Sequence, residues 1–300
     1  MSVSIPYRRE MSFAYGELER LSPKIRRIIA HNPSAFTFHG TGTYVLGEGE
    51  VAVIDPGPDD PRHIEALLEA LGAERVTHIL ITHCHHDHSP GARMLQAETG
   101  APTYAFGPHG AGRLGEGESE EGADWDFTPD HRVVDGQIID GGNWSVECVF
   151  TPGHTSNHMA YQLREEKALF SGDHVMGWST SVISPPDGDM AAYMASLEKL
   201  LDRDDVRYWP THGPSIDDPK THVRAFIAHR QARAQQILDA LAAGLTRVSV
   251  MVPKMYADVA PQLYPAATRS VLAAVAYLED QGKITVRGTL SAEAELALAR

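Results

Sequence analysis

The chain has 300 residues and carries 26 Lys/Arg against 40 Asp/Glu, a formal net charge of −14. Such acidity gives no long-range pull on polyanions and counts against a general nucleic-acid binder. Its 42% hydrophobic and 22% charged residues are a globular balance, and the length suits one large domain, alone or with a small one.

Only two cysteines occur, Cys84 and Cys148, which implies no disulfide framework and points to a reducing, cytoplasmic setting. The first fifteen residues hold no apolar stretch long enough for a signal peptide. No run of about 18 apolar residues follows, so no membrane span is expected.

In chain order, 43–46 and 51–54 read as short strands joined by a turn at Gly47 and Gly49. Residues 61–72 place Ile64, Leu67, Leu68 and Leu71 at helical spacing and close on Gly72. The apolar run 76–81 reads as a buried strand, and 90–99 as a short helix. Residues 107–130, rich in Gly and Glu, read as a long surface loop. Within it, 110–115 matches GxGxxG, but no strand precedes it and an acidic loop follows, so a dinucleotide site is not expected. Strand-like pieces over 133–149 are separated by Gly136 and by Gly141 with Gly142. Further strands are expected at 158–163, 168–171 and 206–209, with a helix at 191–201. Residues 218–241 form a long amphipathic helix, its apolar side including Val223, Phe226, Ile237 and Leu241. Gly244 is a break. After it come 248–252, a helix near Met255, a helix over 267–281 and a strand over 283–286.

Sixteen histidines are present, four of them within six residues in Thr82-His83-Cys84-His85-His86-Asp87-His88. Imidazole nitrogen and carboxylate oxygen suit borderline-soft ions such as zinc. Residues two apart at a strand end point the same way, so His83 and His85 can reach one ion. After the turn, Asp87 and His88 can reach a second. Two ions roughly 3.5–4 Å apart can hold a bridging hydroxide. Further ligands must come from elsewhere, and His154, Asp173 and His212 are well placed. Each follows an apolar segment and lies beside glycine or proline. His86 and His174 adjoin these positions; with His158 they are candidates to support a ligand or face the substrate. Cys84 and Cys148 read as core residues.

The ordered set HxHxDH, TPGHT, SGD and THG resembles the metallo-β-lactamase superfamily over roughly residues 35–215. The resemblance implies an α/β fold, a four-layer αββα sandwich with metals at one edge. It implies that His83, His85 and His154 bind one metal, that Asp87, His88 and His212 bind the other, and that Asp173 bridges them. The implied cofactors are two divalent ions, Zn2+ first, with Mn2+ or Fe2+ as substitutes. A helix, helix, strand tail after Gly244 resembles the winged-helix-like domain of the β-lactamase-like protein 2 branch, as do His-His-Asp-His-Ser-Pro-Gly and Gly-Asp-His-Val-Met-Gly. Asn157 departs from that branch, where Asp is expected. The expected division is a catalytic domain at 1–215, a connecting helix at 216–243 and a winged-helix-like domain at 244–300.

The expected activity is that of a dinuclear hydrolase, with Asp87 holding the second ion and orienting the hydroxide. Its substrate would be a small ester, thioester, lactone, β-lactam or phosphoester. One alternative is an endoribonuclease for single-stranded RNA, as in some members of the branch. It needs a basic or aromatic track to the metals, for which Arg93, Arg113, Arg164 and Arg203 are the candidates. Another is a non-catalytic metal- or nucleic-acid-binding module. In the tail, Lys/Arg at 247, 254, 269, 283, 287 and 300 nearly balance Asp/Glu at 258, 279, 280, 293 and 295. Nucleic acid is therefore not the favoured partner. The tail is expected to pack on the catalytic domain, shape the cleft or make a homodimer contact.

Overall fold

The computed structural model describes residues 4–112 and 122–299. A seven-stranded sheet runs in chain order through β1 (Glu19–Arg20), β2 (Ile25–Ile29), β3 (Gly42–Leu46), β4 (Glu50–Ile54), β5 (Arg75–Leu80), β6 (Thr103–Ala105) and β7 (His131–Arg132). β1 to β4 pair antiparallel and β4 to β7 parallel. Parallel neighbours need a crossover, which α1 (Pro61–Leu71) and α2 (Gly91–Thr99) supply. A second sheet has the order β12 (Arg207–Pro210), β11 (Ala168–Gly172), β10 (Met159–Leu163), β9 (Ser145–Phe150), β8 (Ile138–Asp140). Only β11 and β12 run parallel in it, with α3 (Met190–Leu201) between them in the chain.

Strand alternation sorts the apolar side chains into layers. Tyr44, Leu46, Ala52 and Ile54 meet Val146, Cys148, Tyr161 and Phe170 between the sheets. The intervening residues face outward. Val45, Val51 and Val53 pack under Ile64, Leu67 and Leu95 of the first helices. Val149, Ala160 and Leu169 pack under Tyr193, Leu197 and Phe226. The result is the expected αββα order.

β2 was not expected. Its sequence IRRII hides the strand behind two arginines, yet both are buried. The two terminal nitrogens of Arg26 donate to Glu74 and the Gly47 carbonyl, and Arg27 pairs with Glu19.

α4 (Pro219–Ala242) starts where expected, because the Asp218 carboxylate accepts a hydrogen bond from the Thr221 amide. Its first half, through Val223 and Phe226, packs on the second sheet's helical layer. Its end, through Ile237 and Leu241, joins a separate cluster with α5 (Val248–Met255) and α6 (Tyr264–Asp280). Two antiparallel strands close the chain, β13 (Ile284–Arg287) and β14 (Glu295–Leu298). The second of these was missed, since Leu296 is its one buried residue.

The reading of 107–130 as surface needs correction. His109, Ala123, Asp124 and Phe127 are buried. The Asp124 carboxylate accepts from Ser89 and Arg93, and Ala123 forms a β-bridge to His85. Residues 122–127 therefore pack on the histidine motif. Residues 113–121, including Arg113 and part of the GxGxxG match, lie outside the described residues. Among the described residues no helix is long and apolar enough to cross a membrane.

Candidate metal centre

The C-terminal ends of β4, β5, β9, β11 and β12 meet at one edge of the sandwich, and each delivers part of the site. β4 leads into Asp55, β5 into Thr82 to His88, β9 into the turn holding His154, β11 into Asp173 and β12 into His212. Three sets of side chains offer ligand atoms within 4.8 Å of one another: His83, His85 and His154; Asp87, His88 and His212; and His83, His88 and Asp173. All seven expected residues are thus brought together. Asp173 lies between the other groups, with Oδ2 at 3.8 Å from both His88 Nε2 and His154 Nε2, and Oδ1 at 3.4 Å from His212 Nε2.

The donors fit a divalent cation. His88 Nε2 and Asp173 Oδ1 are buried without a hydrogen bond, a costly arrangement that a bound cation would relieve. The far ring nitrogens are tied back, which fixes the tautomers and leaves Nε2 facing the cluster. His154 Nδ1–H donates to the Val182 carbonyl at 2.6 Å, and His212 Nδ1–H to the Gly40 carbonyl at 3.2 Å. His88 Nδ1–H donates to Asp55 Oδ2 at 2.9 Å.

Asp55 is the supporting residue that sequence reasoning missed. It is fully buried at φ 48°. Its carboxylate also accepts from the Thr82 amide and hydroxyl and from the Thr211 hydroxyl. One side chain therefore links the ends of β4, β5 and β12. The available signal was an acidic residue that closes an apolar strand ahead of Pro56 and Gly57.

His158 is held back from the ligand sets. Its Nε2 accepts the Asp173 backbone N–H at 3.2 Å, while Nδ1–H donates to Thr151 at 2.9 Å. It thereby fixes the backbone beneath Asp173. His86 is exposed at the cleft mouth, its amide donating to the Gly122 carbonyl. His174 is buried with no hydrogen bond to either ring nitrogen and lies 4.6 Å from the Tyr193 ring. Burial holds its pKa down to about 3, so it is a neutral packing group. Asn157 explains its own departure from the branch pattern. Its amide nitrogen donates to the Gly107 carbonyl and to Cys84 Sγ, both at 3.0 Å, two acceptors that a carboxylate would repel. The Cys84 thiol is buried and pushed up to about 12 by that burial, so it faces the core as expected.

Burial, then the surrounding imidazoles, hold His83 well below its ordinary value, leaving a neutral ring. Burial alone would also lower His88, but Asp87, Asp173 and Asp55 outweigh it and raise the ring well above normal. His212 is raised in the same way by Asp173 and Asp87. Burial opposes ionisation of Asp87, yet His88 and His212 hold its carboxyl well below the usual range. A cation bound among these carboxylates would displace the protons from His88 and His212.

His85, Asp87, His154, Asp173 and His212 of the cluster line a cleft of about 540 Å³. Phe36, Met176, Val182 and Pro186 supply apolar wall, and Arg269 reaches it from α6. Among the described residues the expected arginine track does not form. Arg93 pairs with Asp124, Arg203 with Glu147 and Asp205, and Arg164 contacts Ser145. None of these lines the cleft.

An αββα sandwich with a His/Asp cluster at its edge defines a class, and the comparisons agree. Residues 37–212 match the family model described as Metallo-beta-lactamase superfamily, and residues 248–291 match the Beta-lactamase associated winged helix domain. The chain belongs to the metallo-beta-lactamase superfamily. Within it, the chain is similar to the Beta-lactamase-like protein 2 homolog of Drosophila melanogaster, 34% identical over 286 residues, covering 89% of this chain and 91% of the relative. It is also similar to the Atrochrysone carboxyl ACP thioesterase of Claviceps purpurea, 31% identical over 228 residues, covering 75% and 67%. A Beta-lactamase domain protein from Burkholderia ambifaria shares the fold over 98% of this chain and 97% of its own, with TM-score 0.80 and 20% identity.

Proposed function

We propose that this chain is a dinuclear metal-dependent hydrolase whose substrate is a small thioester or related ester. The observation that carries the reading is the convergence of seven His and Asp side chains, of which His85, Asp87, His154, Asp173 and His212 line a cleft with apolar walls. Similarity to two proteins named as ACP thioesterases favours a thioester within the ester class. The proposed ligands are His83, His85 and His154 for one ion, and Asp87, His88 and His212 for the other, with Asp173 shared. Divalent ions, Zn2+ first, would lower the pKa of water toward about 7 and polarise a carbonyl oxygen.

The chain's own residues position the reactants. Asp87 stays ionised beside His88 and His212 and faces the cleft. Its carboxylate can accept a hydrogen bond from entering water and orient it. Asp55 and His158 hold the ligands still from behind. The apolar walls exclude bulk water and accept an acyl chain. Water adds across the acyl bond: its oxygen joins the carbonyl carbon, the C–S or C–O bond breaks, one proton ends on the departing thiol or alcohol, and the other leaves to solvent as the product acid ionises. Single-stranded RNA is a poorer fit, since the described lining contains one arginine and no continuous track.

The test is a panel of thioester, lactone, nitrocefin, phosphodiester and single-stranded RNA, with a chelated control. Thioester turnover is expected to lead, to vanish with chelator and to return with Zn2+. Asp87→Asn is expected to fold normally and lower kcat by about 100-fold or more. Full activity in that variant would remove Asp87 from its role, and failure of every acyl substrate would overturn the reaction.

A further inference from the structure

We infer that Arg269, carried by α6 of the C-terminal module, is a specificity residue of the cleft. It binds an anionic group of the substrate remote from the scissile carbonyl. The inference rests on the hydrolase reading above and adds a substrate class to it: thioesters or esters bearing a carboxylate or a phosphate.

Helix periodicity aims the residue. Arg269, Ala273 and Tyr277 follow one another at i, i+4 and i+8 and share a face of α6. Ala273 and Tyr277 pack into the core that contains Ile183, Met190 and Phe226 of the catalytic side. The same face therefore turns Arg269 toward the catalytic side, and its side chain lines the cleft that holds His154, Asp173 and His212. Arg269 is half-buried, and among the described residues no hydrogen bond, ion pair or aromatic ring engages its guanidinium. Its neighbours on the helix face, Pro265, Ala266, Leu272 and Ala273, offer no carboxylate.

A partly desolvated guanidinium without a counter-ion is unfavourable unless a ligand supplies one. The two acids lining the cleft, Asp87 and Asp173, belong to the metal cluster. That leaves Arg269 as the one Lys or Arg of the described lining, free to form a two-pronged pair with a planar carboxylate or with phosphate oxygens. A protein of net charge −14 gives an anion no general attraction, so this local cation would set the preference. It also gives the C-terminal module a task in substrate choice, since the side chain comes from that module.

The anion can sit on the acyl chain or on the thiol, and the test separates these. Full-length, metal-loaded protein is assayed with three thioesters. One has an acyl chain ending in a carboxylate, the second is its amide-capped neutral counterpart, and the third has a neutral acyl chain on a phosphopantetheine thiol. The readout is the ratio of kcat/KM for each charged substrate to that for the neutral one. In Arg269→Gln this ratio is expected to fall about 10- to 100-fold in one arm, which identifies the source of the anion. Arg269→Lys should restore part of it. The Kd of a non-hydrolysable thioether analogue of the preferred substrate should rise by a similar factor, a readout independent of turnover.

Unchanged ratios with unchanged analogue binding would overturn the inference. So would equal losses on charged and neutral substrates, which mark a packing role, or loss of RNA cleavage alone. If wild-type protein hydrolyses no thioester, but the carboxylate or phosphopantetheine thioether binds more weakly to Arg269→Gln, the reaction fails and the anion site stands.

Discussion

At Asp55 four donors from three residues meet one buried carboxylate, and one of them is the back of a candidate metal ligand. Asp55→Asn replaces an acceptor oxygen with a donor group among these donors. Stability is expected to fall by about 2–3 kcal/mol, and metal affinity by about 10- to 100-fold. Denaturant unfolding and chelator competition measure both, and wild-type values in each would remove Asp55 from its supporting role. Nearby, Thr43 hydrogen-bonds both the Asp55 carbonyl and His63 Nε2. Burial lowers His63 from 6.5 to about 4. A depressed folded value means that the unfolded chain takes up the proton first. The His63 contribution is therefore complete above pH 6.5 and drains away as pH falls toward 4, by up to about 3 kcal/mol. His63→Gln should flatten that part of the stability profile, and an unchanged slope would contradict the assignment. The residues of the candidate cluster were legible in the sequence because His and Asp are grouped next to strand ends. Asp55 was not, because a lone acid before Pro-Gly reads equally well as a turn.

At the scale of elements, the turn after β11 shows how backbone shape serves the site. Gly172 adopts φ +52°, and a Cβ there would lie 2.5 Å from His158 Nε2 and 3.1 Å from the Thr82 Cβ. Gly172→Ala should cost about 2–4 kcal/mol through strain and overpacking. It should also lower turnover by displacing His158 from the Asp173 amide. Both would be read by thermal unfolding and by thioester assay, and a wild-type profile would contradict the close approach. The helical spacing of α1 and the short apolar runs of β3 and β4 around a Gly-containing turn were readable from the sequence. β2 was hidden because two ion-paired arginines occupy the middle of a buried strand. β14 was hidden because most of its residues are exposed. The segment at 107–130 looked polar, and the pairing of Asp124 with Ser89 and Arg93 could not be seen before the chain was folded.

Across the whole molecule, two sheets with helices on their outer faces bring five strand ends to one edge, and the C-terminal module closes on the same side through α6. The sandwich and the tail were both legible, the first from ordered motifs and the second from its sequence of helices and strand. What the tail contributes to the cleft was not legible, because Arg269 gains meaning only when α6 docks through Ala273. The account depends on two cations held by seven side chains. Elemental analysis of the purified full-length chain, followed by stepwise removal and return of Zn2+ during thioester hydrolysis, tests this most directly. The account predicts two equivalents of a zinc-class metal per chain and turnover that disappears and recovers with them. A chain that holds no transition metal at any occupancy, or that hydrolyses the thioester equally well without one, would contradict it.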